Sequence, residues 1–367
     1  MNGFVSKGGQ VKVLSVVGAR PQFVKLAPIH KALVAKGHQH VIVHTGQHYD
    51  PDMSDIFFTD LGIPQPTQNL HVGSGSHGAQ TATMLTGLEA SFLEHKPDWV
   101  LVYGDTNSTL AAAIAAVKIH QPLAHLEAGL RSFNRRMPEE HNRILTDHAS
   151  DLLLAPTEVA MNHLRHEGLA ERTVVVGDVM TDVCFQTRDT VATQPPAMPN
   201  NWNSNAPYLV ATIHRQENTG DKQRLIEILQ YLSASATPVR LLAHPRLKAK
   251  AQEFGVALQQ GSVTVFDPLA YPQLVSAVMH SQGVVTDSGG LQKEAFLLGV
   301  PCITVRTETE WTETVDLGWN TLIPNCDQPI DTVFSQQRAI SDEHPYGSGH
   351  AAQRAVEELE KWHLQHG

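Results

Sequence analysis

Short apolar, β-branched runs alternate along this chain with longer stretches whose apolar residues recur at helical spacing, and a polar turn separates each pair. In the first half the strand candidates are residues 11–17, 40–44, 99–103, 123–126, 152–155 and 173–176. Helix candidates at 23–36, 77–94, 108–119, 139–149 and 158–167 lie between them. A looser stretch rich in proline, asparagine and threonine, 187–205, interrupts the rhythm. It starts again with strands at 208–212, 239–243, 263–266, 283–286 and 302–305. Short apolar strands separated by helices belong to parallel sheets covered on both faces. The pattern therefore predicts an α/β protein made of two doubly wound units.

Ligands of such sheets sit beyond the carboxyl ends of the strands, so the polar residues at strand exits are the informative ones. Gly18-Ala-Arg20-Pro-Gln22 follows the first strand, with Lys25 one turn into the next helix. Gly104-Asp105 follows residue 103, Glu127-Ala-Gly-Leu-Arg131 follows residue 126, and Pro138-Glu139-Glu140-His-Asn-Arg143 comes soon after. In the second half the exits read His214-Arg215-Gln-Glu217-Asn218, His244-Pro-Arg246 and Asp287-Ser288-Gly289-Gly290. The last of these opens directly into a helix. Paired glycines let backbone approach a ligand, and the free amides and dipole of a helix start favour negative charge. Ser288 adds a hydroxyl, and Glu294 is suited to accept hydrogen bonds from a ribose diol. Together they suggest a cradle for a nucleoside diphosphate carrying a sugar, although the same motif also serves as a plain tight turn.

Composition narrows the classes. A chain of 367 residues suggests two domains of ordinary size. The formal net charge of −10 is unlike the basic footprint of a nucleic-acid binder. Cys184, Cys302 and Cys326 are widely spread, with no metal or redox spacing, as in reduced thiols of a cytoplasmic protein. No run approaches the roughly 20 apolar residues of a membrane span, and no metal site is expected.

Several candidates carry a second, purely structural reading. Arg20 suits a phosphate contact or a surface ion pair, and Asp105 either chemistry or the N-cap of the following helix. Glu139 and Glu140 are favourable charges in a helix first turn or hold one reacting group between them. His214 is structural or a proton carrier. Glu127 is harder to assign to structure: at the edge of a core an idle carboxylate is costly, whereas a partly buried one can act as acid or base.

Taken in order, Gly18-Ala-Arg-Pro, Lys25, Gly46-Gln-His48, Gly104-Asp-Thr106, His125-Leu-Glu-Ala-Gly-Leu-Arg131, Pro138-Glu-Glu, Asn142-Arg143, His214-Arg215, Glu217-Asn218 and Thr286-Asp-Ser-Gly-Gly with Glu294 resemble the non-hydrolysing UDP-N-acetylglucosamine 2-epimerases along nearly the whole chain. The resemblance implies two Rossmann-like domains facing across a cleft, as in GT-B glycosyltransferases: residues 1–177 completed by a final helix at 350–367, and residues 178–349, which bind UDP. It implies a cytoplasmic homodimer without metal or other cofactor, whose partners are a UDP-sugar and UDP. By the same resemblance Asp105, Glu127, Glu139 and His214 are the catalytic candidates. Arg20, Lys25, Arg143, Arg215, His244, Ser288, Gly289, Gly290 and Glu294 bind substrate, with Phe266 or its neighbours near the uracil.

The implied route loses the C2 proton together with the anomeric UDP, giving a 2-acetamidoglucal, and returns a proton from the opposite face as UDP adds back at C1. Departures from the common pattern occur at Ala19, Gln22 and Lys293; Ala19, Gln22 and the segment 306–313 with Trp311 resemble the subgroup acting on UDP-2,3-diacetamido-2,3-dideoxyglucuronic acid, and an uncharged Gln22 suits a more acidic substrate. A GT-B glycosyltransferase and a non-catalytic nucleotide-sugar sensor are the readings from other classes. The carboxylates of Glu127-Ala-Gly and Pro138-Glu-Glu argue against both.

Overall fold

Helices cover both faces of each sheet, which is why the strand runs read as apolar throughout instead of alternating with polar residues. The computed structural model describes residues 9–47, 63–203, 205–336, 338 and 343–366, and the chain divides into a first unit, Met1–Val183 with His344–Gly367, and a second, Cys184–Glu343.

The first unit contains β1 (Lys12–Val17), α1 (Arg20–Ala35), β2 (Gln39–His44), β3 (Gln68–Asn69), α2 (His77–His95), β4 (Trp99–Tyr103), α3 (Asn107–Lys118), β5 (Leu123–Leu126), α4 (Pro138–Ala149), β6 (Leu152–Ala155), α5 (Glu158–His166) and β7 (Thr173–Val175). Among the described residues its sheet has the order β3-β2-β1-β4-β5-β6-β7, with every pairing parallel. Successive side chains of β4 feed opposite cores. Trp99, Leu101 and Tyr103 join α1 residues such as Leu26 and Ile29, whereas Val100 and Val102 join Met84, Leu88 and the alanines of α3.

After α6 (Val179–Thr193) the second unit runs β8 (Leu209–Thr212), α7 (Gln216–Thr219), α8 (Lys222–Ser233), β9 (Val239–Leu242), α9 (Pro245–Phe254), β10 (Val263–Phe266), α10 (Tyr271–Met279), β11 (Gly283–Thr286), α11 (Gly289–Leu297), β12 (Cys302–Thr304), α12 (Thr312–Asp316), β13 (Asn320–Leu322) and α13 (Ile330–Phe334). Its described strands are all parallel, in the order β10-β9-β8-β11-β12-β13. The chain then returns to the first unit as α14 (Ala351–His366), where Trp362 packs on Trp99 at 4.5 Å between ring centroids. Asp182 fixes the start of that helix by accepting from the amides of Ala351 and Ala352 at 2.9 and 2.8 Å.

Two details differ from the sequence pattern. The stretch 187–205 is not loose from its beginning, because α6 continues to Thr193. Val183, Cys184 and Val191 are buried along it, and the hydroxyls of Thr190 and Thr193 bond back to the carbonyls of Gln186 and Asp189. The edge strands β3 and β13, of 2 and 3 residues, are too short to carry a readable period.

A polar chain threads the first sheet. His30 Nδ1 lies 2.9 Å from His40 Nδ1, His40 Nε2 lies 2.8 Å from Ser15 Oγ, and Ser15 Oγ lies 2.7 Å from Tyr103 Oη. Burial, with His30 alongside, pushes His40 down to about 3, so the ring is neutral when folded. The unfolded chain binds a proton there below about pH 6.5 while the folded one does not, so stability falls as pH drops from about 6.5 towards 3. His40 alone should remove about 2 kcal/mol between pH 7.5 and 5. Urea unfolding of the wild type and His40→Gln at both pH values checks this, and equal pH slopes would refute it.

Candidate active site

The polar exits cluster where each strand order reverses: between β1 and β4 in the first sheet and between β8 and β11 in the second. These are the switch points at which doubly wound sheets bind ligands.

In the first unit β1 ends at Gly18, where a Cβ would stand 2.1 Å from Thr45 Oγ1 and 2.2 Å from Ser108 Oγ, so only glycine fits. Of Arg20 only the backbone, at the start of α1, is described. Its side chain, like His48, lies outside the described residues. Gln22 is buried and commits its whole amide to the chain. Oε1 accepts from the amides of Gly18 and Ala19 at 2.8 and 3.0 Å, and Nε2 donates to the Tyr103 carbonyl at 2.8 Å. Its influence on a substrate therefore runs through the shape of the 18–19 turn, not through contact.

One turn on, the Lys25 ammonium pairs directly with the Glu127 carboxylate. Burial alone would lower the lysine, but Glu127, with Asp178 and Asp105 behind it, overcomes this and holds it above its ordinary value. Glu127 takes up a left-handed backbone conformation, φ 74°, which is rare for a residue with a side chain and costs of order 1–3 kcal/mol. Its own amide and that of Ala128 hold the turn by donating to the Leu154 carbonyl at 3.1 and 3.3 Å. Gly104, φ 61°, faces it. A Cβ there would stand 3.6 Å from Glu127 Oε2 and 3.7 Å from Lys25 Nζ.

The N-cap of α3 is Thr106, not Asp105. The Asp105 carboxylate is instead paired with the Arg143 guanidinium. Arg143 also donates to Glu140 Oε2 at 2.8 Å, and Glu140 accepts from the amides of Ser132 and Phe133 at 2.9 and 2.8 Å. Burial raises the Glu140 carboxyl, yet the Ser132 and Phe133 donors and Arg143 together hold it below the usual range. Glu140 is thus an ionised bracket for the 131–137 loop, while Glu139 is exposed and forms no hydrogen bond or ion pair among the described residues.

In the second unit Asp287, fully buried, is the hub. It accepts from the amides of His214 and Arg215 at 3.1 and 2.9 Å and from Asn218 Nδ2 at 3.0 Å, and it stands 3.2 Å from His214 Nδ1. Partial burial lowers the His214 pKa, with His244, Arg215 and Arg246 adding to it and Asp287 opposing, so the ring is neutral near pH 7. Arg215 donates from Nε to the Asp287 carbonyl at 3.0 Å, which brings Nη2 to 3.9 Å from where a Cβ on Gly289 would stand. Ser288 caps α11 by accepting from the Leu291 amide, and a Cβ on Gly290 would meet nothing within 4 Å. His244 caps α9 by accepting from the Arg246 amide at 3.2 Å, and its ring is 6.1 Å from that of His214. Glu294 accepts from Tyr271 Oη at 2.9 Å. Phe266 is buried against Trp202, 4.8 Å between centroids, so its ring belongs to the core at the end of β10. Lys293 sits 3.9 Å over the Trp311 ring, and Arg306 grips Glu310 with two bonds of 2.9 and 3.0 Å.

Two acid-bearing turns at one switch point and a glycine-started helix beside a histidine at the other agree with what the comparisons find. A family model for UDP-N-acetylglucosamine 2-epimerase matches residues 31–360. The chain belongs to this family. It is 46% identical over 363 residues to the UDP-2,3-diacetamido-2,3-dideoxy-D-glucuronate 2-epimerase of Pseudomonas aeruginosa, covering 96% of this chain and 100% of that one. It is 38% identical to the UDP-N-acetylglucosamine 2-epimerase of Methanocaldococcus jannaschii over 94% of this chain and 98% of that one. The crystal structure of an M. jannaschii UDP-N-acetylglucosamine 2-epimerase with UDP-N-acetylglucosamine and UDP superposes with a TM-score of 0.81, covering 95% of this chain and 99% of that one at 37% identity. The fold is thus the GT-B-like one, and the named relatives are UDP-sugar 2-epimerases, which are isomerases. No described helix is long and apolar enough to cross a membrane.

Within this epimerase fold, sequence reasoning passed over Asp287 and Asp147. Asp287 lies inside a motif read for its serine and glycines. Asp147 had a detectable signal: α4 buries Glu140, Asn142, Arg143, Thr146 and Asp147 while Leu145 is 54% exposed. An amphipathic helix turned polar side inward, against the usual arrangement, marks the back wall of the site.

Proposed function

We propose that this chain is a non-hydrolysing UDP-sugar 2-epimerase of the UDP-N-acetylglucosamine to UDP-N-acetylmannosamine type. The observation that carries the reading is Glu127, a carboxylate in a strained left-handed turn, ion-paired to Lys25 at the switch point and two residues past a buried histidine. The C2 hydrogen of a 2-acetamido sugar has no neighbouring carbonyl to acidify it, so simple proton removal is too slow. Loss of the proton to a carboxylate while the C1–O bond breaks, its electron pair leaving with UDP, gives a 2-acetamidoglucal. A proton delivered to C2 from the opposite face as UDP re-adds at C1 completes the inversion.

Such chemistry needs acid–base groups near C1 and C2, for which Glu127, Asp105, Glu139 and neutral His214 are suited, and fixed positive charge for the departing diphosphate. Lys25, Arg143 and Arg215, with the amides at the start of α11, supply the latter. Arg20 is assigned to the diphosphate on sequence grounds. Glu294 is suited to the ribose diol, and His244 and the backbone near Phe266 to the nucleotide.

A second substrate is favoured by a specific observation. Lys293, buried in α11 and stacked on Trp311, places a cation beside the cradle, and the P. aeruginosa relative carries the name of an epimerase of a UDP-glucuronate derivative. The same elimination and re-addition applies to UDP-2,3-diacetamido-2,3-dideoxyglucuronic acid. Incubation with each UDP-sugar in deuterium oxide, followed by proton NMR, should show a C2 epimer with deuterium at C2 for one of them. Epimer formed without deuterium, or no turnover of either, would end this reading.

A further inference from the structure

His125 lies in β5 with its ring fully buried, and its two nitrogens meet different acceptors. Nδ1 is 2.7 Å from Asp147 Oδ1 and Nε2 is 2.7 Å from the carbonyl oxygen of Gly104. A carbonyl can only accept, so Nε2 carries a hydrogen. Nδ1 faces the Asp147 carboxylate. Asp147 is the ionised partner. Its Oδ2 accepts from the Gly129 amide at 3.1 Å and lies 2.7 Å from Arg131 Nη1. Burial would raise its carboxyl, but His125 and Arg131 together hold it below the usual range. Arg131 continues to Glu167, Nε to Oε1 at 2.8 Å, and His148 Nε2 stands 2.9 Å from Glu167 Oε2 at the exposed end.

We infer that His125 forms, with Asp147, the positioning pair for both catalytic turns. Through Nε2 it anchors the carbonyl of Gly104, whose left-handed φ of 61° sets the direction in which Asp105 leaves the sheet. Through Asp147 it holds the amide of Gly129, two residues beyond Glu127, and so closes the turn that keeps Glu127 at φ 74°. Neither residue touches the reacting atoms. They act on Asp105 and Glu127, and the inference rests on the acid–base reading of those two given above. Two ring contacts with different partners at this place give the strained turns a single arrangement.

The test uses the full chain with nitrogen-15 histidine, the His125 signals being assigned by their loss in His125→Asn or His125→Gln. Nε2 should carry the hydrogen that it donates to the Gly104 carbonyl. A bare Nε2 would overturn the Gly104 anchor. His125→Asn retains an amide near the Nδ1 position and loses the Gly104 contact. Its kcat should fall roughly 30–100-fold with KM within about threefold, the scale of a small misplacement of reacting groups. His125→Gln reaches towards Gly104 and should recover about tenfold of that loss. Wild-type kcat in His125→Asn, or equal losses in the two variants, would overturn the positioning role. A wild type that turns over no UDP-sugar would count against the proposed activity instead, and the NMR result would stand apart from it.

Discussion

Glu127→Gln stops solvent deuterium from entering C2 and lowers kcat about 10³-fold, the usual worth of a general acid or base in a proton transfer. The amide is nearly isosteric, so the left-handed turn at φ 74° and its hydrogen bonds to the Leu154 carbonyl persist. What changes is the proton acceptor and the partner of Lys25. The lysine loses the carboxylate that overcomes burial, so its pKa falls, with Asp178 and Asp105 still raising it. UDP affinity should stay within about threefold, since the substitution removes a transition-state interaction more than a ground-state one. Deuterium incorporation followed by NMR, with calorimetric titration of UDP, measures both quantities. Exchange at the wild-type rate would remove Glu127 from the chemistry. Exchange lost together with UDP binding would make it a binding residue.

The second large effect falls on stability. Asp287→Ala removes the acceptor shared by the His214 and Arg215 amides and Asn218 Nδ2, all within 3.1 Å of a side chain with no solvent exposure. Hydrogen bonds to a charged group contribute about 1.5–3 kcal/mol each, and partial exposure of His214 and Arg215 lets water replace some, so a loss of about 3 kcal/mol is expected. For a unit of this size that lowers the midpoint of thermal unfolding by roughly 10 °C. Asp287→Asn keeps one acceptor oxygen and should lose about half as much. Calorimetry of the three proteins reads the result, and an unchanged midpoint for Asp287→Ala would show that the loop after β8 is held some other way.

Most of the architecture was legible because strands covered on both faces betray themselves as short apolar runs. The runs at 99–103, 123–126, 152–155, 263–266 and 283–286 agree with β4, β5, β6, β10 and β11 to the residue. The edges β3 and β13 were illegible for the converse reason, being too short and too polar to leave a period. In the site, residues that face outward from a strand exit were readable by position, as Glu127 and His214 were. Asp105 was readable too, although its alternative as a helix cap is taken by Thr106. Residues that work from behind were not. Asp287 acts through hydrogen bonds to backbone groups far away in sequence, which no local spacing announces, and Asp147 left a trace only in the inward polar face of α4. Gln22 looked like a change in charge facing the ligand. It is a bracket, binding the 18–19 turn to the end of β4.

The first unit is sewn from two pieces of chain, since α14 lays Trp362 on Trp99 only after the whole of the second unit has been traversed. During synthesis, then, the nascent sheet must wait with one flank bare while about 160 residues more leave the ribosome, a gap comparable to an ordinary domain. The second unit, continuous in sequence, can mature on its own schedule. Folding of this protein is therefore ordered against its numbering. The half that begins first is finished last, and translation pauses or chaperones that shield the Trp99 face should govern its yield.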